Sequence, residues 1–481
     1  MTIKTDTING LKWSFIDTAC SYFLTFWISI ILARLLSPSD YGLIGIVGIF
    51  MTFSRVFIDA GFSDALVRKI DCTKQDYSSV FVFNFVAATF FYAILFFAAP
   101  SISLFFNDNQ LVDLIRVSGL GLIISSGSSI HLVHFKKELN FKLLAMVGIF
   151  STIVSGFISV TMAFNGFGVW SLVFSGLIQS GMSLLLLWIV NSQLIKFIFK
   201  LNILKEHFSF GSKIMLASFI NVLYGNIYYL FIGKIFSSST LGFYNKADGF
   251  QKLLSNNIGI IVRQVTYPVL SKLQDNNLKL QENYRILIKF TSFVTFILLS
   301  GLFVVSESFV VVLIGIKWLP SVPMLKLLCF GGFLFPLISI NTNILNVKGR
   351  SDLSLKIQAL KIILSIPTLI LGYYFGIYIM IVGAIFSLIL VYIVVMQFSN
   401  KVINYSIRDQ LKDIFPTLKL ILFSFTPTYF IMLYLDLPVF FELFTSVILS
   451  LTFLIIISEF FDNDEYNVIK KIVLKKINDK F

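Results

Sequence analysis

Ile31-Leu-Ala-Arg-Leu-Leu-Ser-Pro-Ser-Asp-Tyr-Gly42 is matched 200 residues later by Phe231-Ile-Gly-Lys-Ile-Phe-Ser-Ser-Ser-Thr-Leu-Gly242. Arg34 falls on Lys234, Ser37 on Ser237, Ser39 on Ser239 and Gly42 on Gly242. Just upstream, Gly10-Leu-Lys12 answers Gly211-Ser-Lys213 at an offset of 201. Each copy joins one long apolar run to the next through a short polar turn. Self-similarity at a fixed offset with the same local context marks a duplicated unit.

The flanking runs decide what is duplicated. Of 481 residues, 57% are hydrophobic and only 13% charged, with a mean hydropathy of +0.88. A soluble domain carries about 25% charged residues, so a soluble enzyme, a nucleic-acid-binding module and a disordered scaffold are excluded. A helix crossing a bilayer uses about 20 mostly apolar residues. Hydropathy places fourteen spans, at 13–36, 41–61, 79–99, 111–134, 142–164, 168–190, 209–235, 241–269, 285–315, 322–346, 353–372, 376–398, 415–435 and 437–461. The run from Trp13 to Leu36 is too long for the apolar core of a cleaved leader and reads as the first span. Spans 111–134, 209–235 and 241–269 are the most polar, as expected of helices facing a bundle interior or an aqueous cavity. The three cysteines, Cys20, Cys72 and Cys329, have no metal-ligand or disulfide spacing.

Charge sets the orientation. With the N-terminus inside, the inner segments and the span ends beside them hold 25 Lys and Arg, and the outer loops hold Lys317 alone. Cytoplasmic loops collect basic residues, so the net charge of +13 reflects topology, and both termini are expected in the cytoplasm. The outer loops are too short to fold as a domain. The lysine-rich tail after Asp462 is expected to lie on the membrane surface as a short amphipathic helix or to be solvated.

The two copies are separated by six spans, an even number, so they share one orientation. This predicts an all-α integral membrane protein of about fourteen transmembrane helices. Residues 1–200 form an N-terminal lobe of helices 1–6, 201–400 a C-terminal lobe of helices 7–12, and 401–481 an addition of two helices and a basic tail. Transporters with parallel repeats bind substrate between the halves and expose it alternately to each side.

Further segments carry a resemblance. They are Asp59-Ala-Gly-Phe-Ser-Asp-Ala-Leu66, Gly166-Phe-Gly-Val-Trp-Ser-Leu-Val173, Leu241-Gly-Phe-Tyr-Asn-Lys-Ala247, Tyr267-Pro-Val-Leu-Ser271, Gly315-Ile-Lys-Trp318 and Lys348-Gly-Arg-Ser-Asp352. With the first turn at Leu32–Gly42, they resemble the bacterial polysaccharide (oligosaccharide) flippase family. Its superfamily also holds the lipid II flippases and the multidrug-extruding MATE transporters. The resemblance covers residues 10 to 390. It implies two six-helix lobes around a central cavity lined mainly by spans 1, 2, 7 and 8. It also implies movement of a polyprenyl-diphosphate-linked oligosaccharide, a surface polysaccharide repeat unit, from the inner to the outer leaflet of the bacterial cytoplasmic membrane.

Such a substrate must carry phosphate and sugar through hydrocarbon about 30 Å thick. Basic residues away from span ends are the candidates to assist, since snorkelling does not account for them. Arg55 in span 2 and Lys246, Lys252 and Arg263 in span 8 are the candidate substrate-binding residues. Arginine suits phosphate through its fork of donors. Arg34 and Lys234 are candidates for the outer end of the cavity, and Lys361 is a further base deep in span 11. Asp17, a lone acid in span 1, is the candidate coupling residue for a proton or sodium ion, with membrane potential as another energy source. Asp59 and Asp248 stand at i,i+4 to Arg55 and Lys252, and Asp113 at i,i+3 to Arg116, spacings that put partners on one helix face. Internal pairing is thus the competing role. His131, His134 and His207 near inner span ends read as packing residues. Gly331-Gly332, Pro336 and Pro367 are expected to break or bend helices.

There is no Gly-x-x-x-x-Gly-Lys loop, so direct ATP use is not expected, nor is any cofactor or metal. The partners expected are the lipid-linked oligosaccharide, the bilayer, and a polysaccharide polymerase and glycosyltransferases. Two other readings are weighed. A cation-coupled multidrug exporter on the same scaffold usually has twelve spans and an acid-rich cavity. A membrane sugar polymerase usually needs a sizeable outer loop carrying acids or arginines.

Overall fold

A computed structural model describes residues 3–196, 198–435, 437–468 and 470–471, without the side chains of residues 3–12, 15, 261, 263–265, 267–269 and 351. Among them there is no strand. The helices run α1 (Ile3–Leu35), α2 (Pro38–Asp59), α3 (Phe62–Arg68), α4 (Lys74–Phe106), α5 (Gln110–Lys137), α6 (Phe141–Phe164), α7 (Trp170–Val190) and α8 (Leu201–Ile235). They continue as α9 (Ser238–Lys272), α10 (Asn277–Ile314), a 3-10 turn (Ile316–Ser321), α11 (Val322–Gly332), α12 (Leu334–Val347), α13 (Ser351–Phe375), α14 (Ile377–Ile403), α15 (Ile407–Tyr434) and α16 (Val439–Phe460).

Thirteen of these segments are long and apolar enough to cross a membrane, counting Ile316–Val347 as one. The fourteenth expected span falls on α9, a continuous 35-residue helix that is too polar to qualify, because Lys246, Asp248, Lys252 and Arg263 interrupt it. Its length, about 50 Å at 1.5 Å per residue, exceeds the hydrocarbon core. The expected break in span 10 occurs where the two glycines end: α11 stops at Gly332 and α12 starts at Leu334. Pro367 stays inside α13. The short helix α3, between the spans, was not expected. The end of the basic tail, residues 472–481, lies outside the described residues.

The duplicated turn is a helix start in both copies. Ser37 caps α2: its Oγ accepts from Asp40 N, and the Asp40 carboxylate accepts from Ser37 N at 2.8 Å. Pro38 fills the first turn, where its missing N–H costs nothing. In the second copy Ser237 Oγ accepts from Thr240 N at 3.1 Å. The repeated serine is thus an N-cap. Gly42 and Gly242 are repeated for another reason. A methyl group on Gly42 would overlap the carbonyl of Ser238, and one on Gly242 would overlap the carbonyl of Pro38.

The chain forms two compact units, Met1–Gly242 and Phe243–Phe481. In the first, α4 packs along α5, α1 along α6, and α7 against α5 and α6. α6 offers small residues to its neighbours, with Gly156 against Ile28 of α1. Small residues let membrane helices approach closely where lipid supplies no hydrophobic drive. α8 packs on α2, α3 and α4, and Gly61 and Gly211 meet with no room for a side chain on either. In the second unit α13 packs with α14, α12 with α14, and α15 and α16 with α10. Its core gathers Tyr284, Ile344, Ile357, Val395 and Tyr405, all fully or almost fully buried.

Large apolar side chains cover the outside of both units, among them Phe97 at 78% exposure and Phe157 at 75%. Serines and threonines are buried within, for example Ser78, Ser79, Ser159 and Thr295 at 0%. Water would not tolerate so large an apolar surface, and a bilayer requires it. The chain is a multi-pass membrane protein.

Candidate functional site

The first unit holds an open cavity of about 400 Å³ walled by α2, α4, α5, α6 and α7. Arg55 and Asp59 enter it from α2, one helical turn apart, and Asn84 from α4. The polar stretch Ser125-Ser126-Gly-Ser-Ser129 of α5 supplies four hydroxyls. Each donates to a carbonyl three residues back, at 2.7–3.1 Å. A hydroxyl whose proton is committed to the backbone offers only lone pairs to a ligand, so this wall is a row of acceptors. α6 adds Gly148 and Ser151, and α7 adds Gln179, whose Nε2 donates to Thr152 Oγ1 at 3.2 Å.

Two polar atoms here have no partner among the described residues. Asn84 Oδ1 and Ser151 Oγ make no hydrogen bond, though both residues are 1% exposed. Buried polar groups are nearly always bonded, and an exception in a cavity wall leaves an oxygen available to a ligand or to water. The cavity pairs one guanidinium with one carboxylate and many hydroxyl and amide oxygens. That chemistry matches a polyhydroxylated group better than a free anion.

The residues expected from sequence fall into separate groups. Arg55 and Asp59 share the cavity but form no ion pair among the described residues, and Asp59 instead accepts from Ser63 Oγ. Lys252 and Asp248 do pair, at 2.6 Å, so the competing structural role applies to them. Lys246 is buried, with its ammonium 5.9 Å from the centre of the Trp318 ring. Two of the sequence motifs therefore meet there, and Phe243 packs edge-on to the same indole at 6.0 Å. The Arg263 side chain lies outside the described residues.

At the repeated turns, Arg34 is exposed, and Lys234 donates to the carbonyl of Phe105 and stands over its ring at 4.4 Å. Asp17 accepts from Ser21 Oγ at 3.2 Å. A side-chain carbon on Gly148 would reach 3.3 Å from its carboxylate, which places Asp17 just behind the α6 wall of the cavity. The expected Asp113–Arg116 contact gives way to a cross-helix one. Arg116 Nε donates to Phe96 O at 3.3 Å and the guanidinium stacks 4.3 Å over that ring. The histidines, expected to pack, make polar contacts: His131 Nε2 lies 3.1 Å from Asn191 O, His134 Nε2 3.2 Å from Glu138 and His207 Nε2 3.3 Å from Asp76.

The polysaccharide biosynthesis protein family matches residues 31–323 of the chain. The protein belongs to this family. Among curated relatives, the teichuronic acid biosynthesis protein TuaB of Bacillus subtilis (strain 168) is 27% identical over 355 residues, 73% of each chain. The lipopolysaccharide biosynthesis protein WzxC of Escherichia coli (strain K12) is 25% identical over 378 residues, 77% of this chain and 76% of that one. Among solved structures, the lipid II flippase MurJ in its inward closed conformation matches with a TM-score of 0.73 at 17% identity. That match covers 94% of this chain and 99% of MurJ. An inward-facing multidrug resistance MATE transporter matches with a TM-score of 0.66 at 15% identity, over 80% and 94%. These two establish the fold, which this chain shares with both structures.

Sequence reasoning picked out the charges of the cavity but missed Asn84, Ser151, Gln179 and the serines of α5. The available signal was Ser125-Ser126-Gly-Ser-Ser129 itself, four hydroxyls in five residues of a membrane span. Its polarity was legible, and the direction in which it points was not.

Proposed function

We propose that this member of the polysaccharide biosynthesis family is a flippase. It moves a polyprenyl-diphosphate-linked oligosaccharide from the inner to the outer leaflet of the bacterial cytoplasmic membrane by alternating access. Its work is translocation, not bond chemistry. The observation that carries this reading is the hydroxyl-lined cavity with Arg55, inside a unit whose exterior is lipid-like. A string of sugars crossing hydrocarbon loses its water, and each unpaired hydroxyl then costs several kcal/mol. Serine and amide oxygens replace that water for sugar donors, and Arg55 serves sugar or phosphate oxygens. Both termini face the cytoplasm on the distribution of basic residues, and a polymerase and glycosyltransferases act with the flippase. Asp17, an intramembrane carboxylate beside the cavity wall, takes up the coupling proton or cation.

The test is translocation in proteoliposomes of a polyprenyl-diphosphate oligosaccharide, read by a membrane-impermeant sugar-modifying reagent. Protein-dependent exposure of the sugar, reduced by Arg55→Ala, is expected. Absence of exposure together with efflux of a cationic dye would give the protein to the drug-exporter reading. Asp17→Asn is expected to slow flipping and remove its response to an ion gradient, and an unchanged response would end the coupling role.

A further inference from the structure

The second unit has a polar cavity of its own, about 350 Å³, walled by α9, α12 and α13. The repeat relates it to the Arg55 cavity position by position. α2 and α9 begin at Pro38 and Ser238, 200 residues apart. At that offset Arg55 and Asp59 correspond to Ser255 and Gly259, and all four line their cavities. Further along, α5 and α12 end at Lys137 and Val347, and α6 and α13 begin at Phe141 and Ser351, both 210 apart. The longer α10 and the 3-10 turn lie between these points. At this offset Ser129 falls on Ser339 and Leu132 on Thr342, each lining its own cavity. Gly148 falls on Gln358 and Ser151 on Lys361, again with both members of each pair in the walls. The two cavities thus share equivalent wall positions on α2 and α9, α5 and α12, and α6 and α13.

Their chemistry differs. The base moved from α2 to α13, where Lys361 replaces a serine. The acid was lost, with Gly259 in place of Asp59, and the described lining residues include no carboxylate. Leu132 and Gly148 became Thr342 and Gln358, and Asn256, Asn343 and Asn346 add amides. Asn343 is 3% exposed, lines the cavity, and its Nδ2 donates no hydrogen bond among the described residues. A buried donor without a partner is therefore present in the same pocket as an ammonium.

We propose that this second cavity is a saccharide subsite taking a sugar ring that bears one carboxylate, of the hexuronate type. Lys361 meets the carboxylate, and Asn343 Nδ2 with the neighbouring amide and hydroxyl groups meets the ring hydroxyls. The proposal rests on the reading of the chain as a glycan translocator. Amides donate and accept at once, which suits ring hydroxyls that do the same. A diphosphate would set negative oxygens against the amide carbonyls, and an apolar drug would leave the amides unpaired, at a cost of about 1–3 kcal/mol each. The volume lies within the usual span of small-molecule sites.

The experiment uses the full chain in proteoliposomes with Cys20, Cys72 and Cys329 replaced by serine. Ser339→Cys reports the second cavity and Ser129→Cys the first, through their rates of alkylation by N-ethylmaleimide. The probe is sodium glucuronate, against glucose and against sodium phosphate at matched ionic strength. Glucuronate is expected to slow labelling of Ser339→Cys several-fold, more than either comparator does. Lys361→Gln is expected to abolish the effect and Asn343→Leu to weaken it, with the labelling rate of Ser129→Cys in the absence of any sugar unchanged as the control for folding. No slowing at Ser339→Cys in a chain that still flips lipid-linked oligosaccharide would overturn the subsite. So would equal slowing by phosphate, or indifference to Lys361→Gln. A chain that protects Ser339→Cys but flips nothing would overturn the flippase reading and leave the subsite standing.

Discussion

Gly42 lies against the main-chain carbonyl of Ser238, and the repeat returns the contact, with Gly242 against the carbonyl of Pro38. In two helix starts related by the duplication, the fifth residue of each thus lies against the first residue of the other, with no space for a side chain. Gly42→Ala and Gly242→Ala are each expected to force a backbone shift and lower stability by about 1–3 kcal/mol, the usual cost of overpacking. The two sites share one contact, so the double variant should lose less than the sum of the singles. Thermal unfolding of the detergent-solubilised protein reads this. Strictly additive losses would show that the two contacts are independent.

The serines beside those glycines show what was legible from sequence. Ser37 and Ser237 stood out by repetition, and the structure gives the cause, since each caps the helix that follows. The long helices were legible because hydropathy and loop lysines are summed over many residues. Pairings were less so, because spacing on one helix says nothing about neighbours on another. Asp248 and Lys252 met as i,i+4 geometry allows, whereas Arg116 left Asp113 for Phe96 on α4. The serines of α5 were visible as polarity, but which cavity they face depends on packing among five helices. The equivalence of Ser151 with Lys361 was hidden because the repeat offset drifts from 200 to 210 along the chain.

Arg285 of α10 binds Asp413 of α15 through two parallel bonds, Nε to Oδ2 at 2.8 Å and Nη2 to Oδ1 at 2.9 Å. Tyr405, fully buried, donates to the same carboxylate, and burial raises its phenol so that the proton stays in place. Lys289 stands 3.8 Å away. Breaking a fully buried pair costs about 3–5 kcal/mol. Arg285 is 46% exposed, so Asp413→Asn is expected to cost about 1–2 kcal/mol, nearer the range of partly solvated pairs. Arg285→Lys keeps the charge but loses the fork, and should fall between wild type and Arg285→Ala in melting temperature. Equal melting of the lysine variant and wild type would refute the bidentate contribution.

Lys69, in the loop after α3, donates to Asp76 at 2.9 Å and reaches Glu206 of α8 at 3.3 Å. The hydrogen bond to Asp76 raises the Lys69 ammonium above its ordinary pKa. A raised pKa in the folded state gives a contribution that is complete below the ordinary lysine value, about 10.4. It fades as pH climbs through the raised one. Wild type should therefore melt above Lys69→Met by a constant margin across neutral and mildly alkaline pH, with the margin closing only in strong alkali. A margin that instead closed towards neutral pH would assign the effect to another group.

Asn84 and Ser151 allow stability and transport to be separated. Each sets an unpartnered oxygen in the wall of the Arg55 cavity, and such an atom costs the fold about 1–3 kcal/mol. Asn84→Leu and Ser151→Val remove that cost, so their melting temperatures should equal or exceed that of wild type. If the oxygens serve sugar hydroxyls in passage, the same variants should flip lipid-linked oligosaccharide more slowly, by about tenfold for a loss near 1.4 kcal/mol. A purely structural role predicts the opposite signs, with melting temperature falling and transport declining only as folded protein is lost. Measuring both quantities on one preparation decides the matter, because only a site kept polar for its ligand gains stability as it loses rate.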